Sequence, residues 1–293
     1  MLLFDSYTHF KETPSYKKIV GDDYLIVEFK CPINDESFHA WSECHYITYV
    51  LSGKKSWMTH ENSWTLSTGE SIFVKKGAYM NQQFLDDKFC VLMFFMTDDF
   101  LKRFVQTDML ELTKNSGKIQ LCEPLQKIEV SESLEVLYNS FFSYLREKKA
   151  TPEKIIELKF REMLLNILSN PKNQGVGRLV SDITAFDKSP IHRVMEENFS
   201  FNLSLEEYAR LSSRSLSTFK REFQKHYNMS PGKWLIKKRL TFAKQLLMGT
   251  DDTVQEICYD SGFENPSHFI RVFKEHFGQT PLEFRKESAS KTN

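Results

Sequence analysis

The sequence predicts an α+β protein: an N-terminal β-barrel with helices behind it, then an all-α domain of two helix-turn-helix units joined by a long linker helix. Three observations carry this. Short aromatic and β-branched runs, broken by Gly, Asn and Ser turns, fill the stretch from Tyr24 to Met96, as in small barrels and sandwiches. From Glu132 to Asn170 the apolar period lengthens from two to nearly four, the change from strand to helix. In the last third, one short unit occurs twice, which signals a supersecondary element used more than once.

At 293 residues the chain can bury two separate cores. The expected division is 1–170 for the barrel and its helices, 171–187 for a linker, and 188–293 for the helical domain. The linker is read from NPKNQGVG, residues 170–177, whose Pro, Asn and Gly content suits a connection. Five cysteines (Cys31, Cys44, Cys90, Cys122, Cys258) are odd in number and form no CxxC pair, so a reduced cytoplasm is expected. Met1 to Phe10 is too short and mixed for a signal peptide, and the apolar run Phe89 to Met96 is far below a membrane span. No membrane association is expected.

In chain order, the strands are LIVEF, HYITYVLSG, KSWMTH, SWTLSTG, ESIFVKKG and the nearly continuous apolar KFCVLMFFM. Trp41, Tyr49, Trp57, Trp64 and Phe73 are candidates to line an apolar ligand pocket. Equally, they are rings of the size that fills a small barrel. His39, Glu43, His45 and His60 are scattered, without an HxH. No catalytic residue, metal site or cofactor is expected. The helix ESLEVLYNSFFSYLREKK aligns Leu134, Leu137, Phe141, Tyr144 and Leu145, and PEKIIELKFREMLLNILSN aligns Ile155, Leu158, Met163, Leu165 and Leu168 along a wide stripe,.

The repeat reads SLSTFKREFQKHYNMSPGKW from Ser215 and NPSHFIRVFKEHFGQTPLEF from Asn265. Phe219, Phe223, His226, Tyr227 and Pro231 fall over Phe269, Phe273, His276, Phe277 and Pro281. Ser215 and Asn265 suit N-caps, and Pro266 a first helical position. With the aromatic residues inward, the outer faces hold Ser217, Lys220, Arg221 and Gln224 in one copy, and Ser267, Ile270, Arg271 and Lys274 in the other. Hydroxyl, amide and basic groups are what a recognition helix presents to phosphates and base edges. For one helix a solvated charged face is the default; the duplication turns the balance toward DNA.

A supporting helix precedes each copy: LSLEEYARL, with Leu205, Tyr208 and Ala209 inward, and DTVQEICYDSGF, with Val254, Ile257 and Cys258. Ala209 and Cys258 are small where helices cross, so Cys258 reads as packing. Between the copies, the stretch from Ser230 to Gly249 reads as one helix, about 28 Å long at ~1.5 Å per residue. Major-groove faces on one side of B-DNA repeat at about 34 Å, so this rod suits two adjacent grooves. Charge is a weaker guide. The net charge is zero, yet from Asp187 onward 17 Lys+Arg face 14 Asp+Glu. Lys237 to Arg239 reads as a local basic patch on the linker helix.

These units resemble the AraC/XylS family of bacterial transcription regulators over about a third of the chain. The family run is carried by Gly262, Phe263, Ser267, Phe269, Arg271, Phe273, Lys274, Phe277, Gly278, Thr280, Pro281 and Arg285. Pro266 departs from it, standing where relatives often carry a polar residue. The resemblance implies DNA contacts from Ser217, Lys220 and Arg221 and from Ser267, His268 and Arg271, with promoter DNA and RNA polymerase as partners and activation as the habit. YVLSG followed by STGESIFVKKG resembles the cupin-like barrel of that family. Tyr79 stands where a cupin often supplies its later histidine. The barrel half would sense a small ligand or a partner protein, and the helices behind it would pair two subunits in a homodimer. Alternatives are a regulator controlled by protein docking without a ligand pocket, and a cupin-type enzyme with a DNA-binding tail.

Overall fold

The apolar run that ends at Met96 is buried on both faces, and the first half of the chain is built around it. The computed structural model describes residues 3–30, 37–59, 62–84, 89–108, 122–147 and 151–292. The chain divides into two units, Leu2–Asp187 and Lys188–Asn293.

In the first unit, the described strands begin with β1 (Leu3–Asp5), β2 (Lys17–Val20), β3 (Tyr24–Lys30), β4 (Ser37–Ser42), β5 (His45–Ser52) and β6 (Lys54–Met58). They continue with β7 (Ser63–Ser67), β8 (Ser71–Val74), β9 (Gly77–Gln83), β10 (Cys90–Met96) and β11 (Leu125–Ile128). One sheet has the order β1-β4-β9-β6-β7, the other β11-β8-β5-β10-β3-β2. The expected cupin-like β region takes the form of two packed sheets with open edges: among the described residues no edge strand of one sheet pairs with the other. β9 was not anticipated: GAYMNQQ lacks apolar alternation, yet it lies between β4 and β6.

Alternate side chains of β10 enter different layers, as a strand period of two requires. Val91, Met93 and Phe95 join Leu25, Val27, Trp57 and Leu66 between the sheets. Leu92, Phe94 and Met96 join Ile26, Ile47 and Phe73 under the helices. A strand covered on both faces has no solvent side, hence the unbroken apolar run. The helices are α1 (Ser6–Glu12), α2 (Asp98–Asp108), α3 (Glu132–Arg146), α4 (Glu153–Ser169) and α5 (Gln174–Thr184).

Two expectations fail in this layer. Residues 171–187, expected as a linker, hold a 3-10 turn and α5, which buries Val176, Leu179 and Val180 in the helical core. Gly and Pro content there marks a tight turn between packed helices. The α4 stripe is also rotated: Ile155, Leu158 and Leu165 are exposed, while Ile156, Phe160, Met163, Leu164 and Ile167 are buried. The ring of Phe160 decides it, lying 5.0 Å from Phe100, 5.7 Å from Tyr24 and 5.9 Å from Phe94.

The second unit is helical: α6 (Ile191–Asn198), α7 (Leu205–Leu211), α8 (Leu216–Tyr227), α9 (Pro231–Gly249), α10 (Val254–Asp260), α11 (Pro266–Phe277) and α12 (Pro281–Thr292). Helix α9 lends Leu240, Ala243 and Leu247 to a core with Ile257, Cys258, Phe263, Phe269, Val272 and Phe273. Cys258 is fully buried there, a packing residue.

Candidate nucleic-acid interface

Each recognition helix is held at both ends by residues that recur with the repeat. Ser215 Oγ accepts from the Thr218 N–H at 3.3 Å, and Asn265 Oδ1 from the His268 N–H at 3.0 Å. At the far ends, Asn228 (φ 52°) and Gly278 (φ 82°) take the left-handed conformation that closes a helix. The supporting helices repeat as well. Ser204 with Glu207 and Thr253 with Glu256 form reciprocal capping boxes, each satisfying two N–H groups the helix start leaves open.

With Phe219 and Phe223 buried on α8, and Phe269, Val272 and Phe273 on α11, the opposite faces must be outward. Ser217, Lys220, Arg221 and Gln224 are all exposed on α8, and Ser267, His268, Arg271 and Lys274 on α11. Spacing of three, four and seven residues puts the α8 group on one side of its helix, and Ser267, Arg271 and Lys274 on one side of α11, with His268 next to Ser267 in the first turn,. These side chains can donate to phosphates and to guanine or adenine edges.

Sequence reasoning placed Ile270 on this surface but missed one ion pair. Arg271 Nη1 donates to Glu275 Oε1 at 2.8 Å; the Arg-x-x-x-Glu spacing was the available signal. Position 275 corresponds to Lys225 on α8, so the two faces differ in charge there. Ile270, 38% exposed, gives the second face an apolar contact of the kind that meets a thymine methyl. On α8, Glu222 is engaged by Arg214 at 2.7 Å, and that hydrogen bond holds its carboxyl below the usual range.

The basic patch expected at Lys237–Arg239 is not one surface. Lys237 is exposed. Lys238 pairs with Glu196 and lies 5.4 Å over the Phe199 ring. Arg239 turns inward, donating through Nε to the Phe199 carbonyl at 2.7 Å and through Nη2 to that of Phe201 at 2.8 Å. These carbonyls lie just past the end of α6, where the guanidinium adds a donor to each; that of Phe201 also accepts from the Leu203 N–H at 2.8 Å.

In the first unit the pocket candidates do not converge. Tyr49 and Phe73 lie in the helical core, Trp57 and Trp64 between the sheets, and Trp41 is buried on β4. Of these, Trp57 lines a cavity between the sheets of about 30 Å³, with Phe38, Thr48, Lys55 and Phe89. Lys55 Nζ lies 4.6 Å over Phe38 and 5.4 Å over Phe89. The Thr48 hydroxyl is buried without a hydrogen-bond partner.

His45 is engaged elsewhere. Its Nδ1 accepts from the Lys76 N–H at 3.1 Å, so Nε2 carries the proton and donates to Asp98 Oδ1 at 2.9 Å. Burial pushes its pKa down, consistent with a neutral ring. Burial opposes the charge on Asp98, but His45 and Lys76, the latter at 2.7 Å, hold its pKa well below the usual range. This cluster anchors the start of α2. Among the described residues no three His, Cys, Asp or Glu side chains converge on a metal position; His60 and Cys31 lie outside them. No described helix is long and apolar enough to cross a membrane.

Comparison with known proteins gives two family matches. Residues 45–179 match the ExsA N-terminal regulatory domain, and residues 208–287 match a helix-turn-helix domain. The virulence regulon transcriptional activator VirF of Yersinia enterocolitica is 24% identical over 236 residues, covering 80% of this chain and 87% of VirF. The HTH-type transcriptional regulator ExsA of Pseudomonas aeruginosa is 25% identical over 274 residues, 92% of this chain and 93% of ExsA. Among solved structures, ToxT from Vibrio cholerae is 14% identical, with 90% of this chain and 98% of that chain covered and a TM-score of 0.41.

Proposed function

The chain belongs to the AraC family of transcriptional regulators, and we propose that it binds promoter DNA sequence-specifically and activates transcription. The observation that carries this reading is the pair of matched helices, capped alike and each presenting an exposed polar and basic face. Ser217, Lys220, Gln224, Ser267, His268 and Lys274 fix register on phosphates and flanking edges, while Arg221 and Arg271 read bases. The nineteen-residue α9 is about 28 Å long, which suits successive major grooves. The gain in transcription would come through RNA polymerase, and the protein would act in the cytoplasm.

Genome-wide mapping of bound DNA, with footprinting at the strongest site, tests the reading. Protection of two successive major grooves on one face is expected. Arg271→Ala should weaken binding at that site by about 1–3 kcal/mol, roughly fivefold to 150-fold. Unchanged affinity would remove Arg271 from the interface.

For control, protein contact is favoured over a small ligand. The inter-sheet cavity, at about 30 Å³, falls well short of the about 300–1,000 Å³ of small-molecule sites. The exposed Ile155, Leu158 and Leu165 of α4 instead suit a second copy of the chain. Sedimentation equilibrium of the full-length protein should give a dimer; a monomer at every concentration would sink this part.

A further inference from the structure

The two helix-turn-helix units must be held at one spacing if both are to meet their grooves, and a single guanidinium stands where they join. Arg239 lies near the middle of α9. Its Nε and Nη2 donate to the carbonyls of Phe199 and Phe201, in the segment that leads into the first unit. Its charge also acts on the nearby Tyr208 side chain of α7, whose hydroxyl donates to the Asn198 carbonyl at 2.8 Å. The second unit closes on the other side. A Cβ at Gly262, in the turn between α10 and α11, would lie 2.9 Å from Arg239 Nε and 2.7 Å from the Ser200 carbonyl.

The repeat provides an internal control. The matching turn of the first unit is held by Ser213, which takes the same left-handed conformation (φ 57°) with its side chain exposed. A left-handed turn alone therefore accepts a serine in this fold. Glycine at 262 answers a second demand, close approach to the loop and guanidinium that belong to the other unit.

We propose that Arg239 is a positioning residue that sets the spacing between the two recognition helices, and so selects operators by the distance between their half-sites. This rests on the DNA-binding reading above. The planar fork of Arg, with two carbonyls in fixed directions, defines one geometry; the ammonium of Lys, a point charge on a flexible stem, does not. Lys238 with Glu196 holds α9 to α6 alone, so it does not join the two units.

The test uses full-length protein and duplexes built from the strongest footprint. One set lengthens or shortens the gap between half-sites by one or two base pairs; another scrambles either half-site. Wild type should lose about tenfold or more per base pair of altered spacing. Arg239→Lys should flatten that profile to within about threefold, yet keep affinity for each single half-site within about twofold. Tyr208→Phe, a milder change at the same seam, should flatten it less and keeps the proposal testable if Arg239→Lys does not fold. Wild-type spacing profiles in both variants would overturn the proposal. So would a uniform loss on every duplex that tracks a lower Tm, since that marks a merely structural residue. If wild type leaves no footprint, the DNA-binding reading falls first and this one with it.

Discussion

The two helix-turn-helix units share their frame and differ on their surfaces. Capping boxes, N-caps, left-handed C-caps and buried aromatic pairs recur in both, whereas the charges and the turns do not. Arg221 is followed four residues on by Lys225, Arg271 by Glu275; the first turn is exposed at Ser213, the second packed at Gly262. Duplication thus preserves what folds a helix-turn-helix. What touches DNA, or the other unit, is free to diverge.

The shared frame can be broken most severely at its aromatic pairs. Phe223 and Phe273 are both fully buried, and each meets a ring one turn along: Phe223 stacks on Tyr227 at 4.5 Å, and Phe273 lies tilted against Phe277 at 4.6 Å. Phe223→Ala and Phe273→Ala should each cost about 3–5 kcal/mol, measured by urea unfolding of the full chain. Losses differing by more than about twofold would show that the frames are not equivalent.

The difference between the turns predicts effects of opposite sign. Gly262→Ala should destabilise by about 2 kcal/mol or more, from the left-handed backbone and the Ser200 carbonyl together. Ser213→Gly relieves the backbone with nothing to clash against, and should raise stability by up to about 1 kcal/mol. If both changes are neutral by thermal unfolding, the contrast has no energetic basis.

The smallest expected effect compares the caps. Ser204→Ala and Thr253→Ala each remove one hydroxyl acceptor and should cost about 1 kcal/mol apiece. Matching shifts in urea midpoint would confirm that the capping boxes are equivalent; a shift at one position alone would mean that its partner helix is held by packing.

Most of the DNA-binding half was legible because its signals are local or periodic. Caps, Pro266, Gly278 and aromatic residues at helical spacing act within a turn or two of chain, and the second copy confirms the first. All eight candidate contact residues lie on exposed helix faces for the same reason, since burying the aromatic stripe forces the other side outward. What remained hidden depends on partners distant in sequence. Residues 171–187 look like a linker until Val176 and Leu179 meet the core of the first unit. Trp41, Tyr49, Trp57, Trp64 and Phe73 look like one pocket until strand alternation divides them between layers.

The sequence by itself determined the repeat, the helix ends, the two faces of each recognition helix and the strand-to-helix change near residue 130. Each follows from short-range sterics, hydrogen-bond satisfaction and the period of apolar residues. Tertiary structure alone decided that the strands form two open sheets, that α4 buries Ile156 and Phe160 in place of Ile155 and Leu158, and that Arg239 faces inward. Those outcomes depend on which layers pack together, and a helix with apolar residues all round, or a cation within reach of several carbonyls, carries no local preference among them.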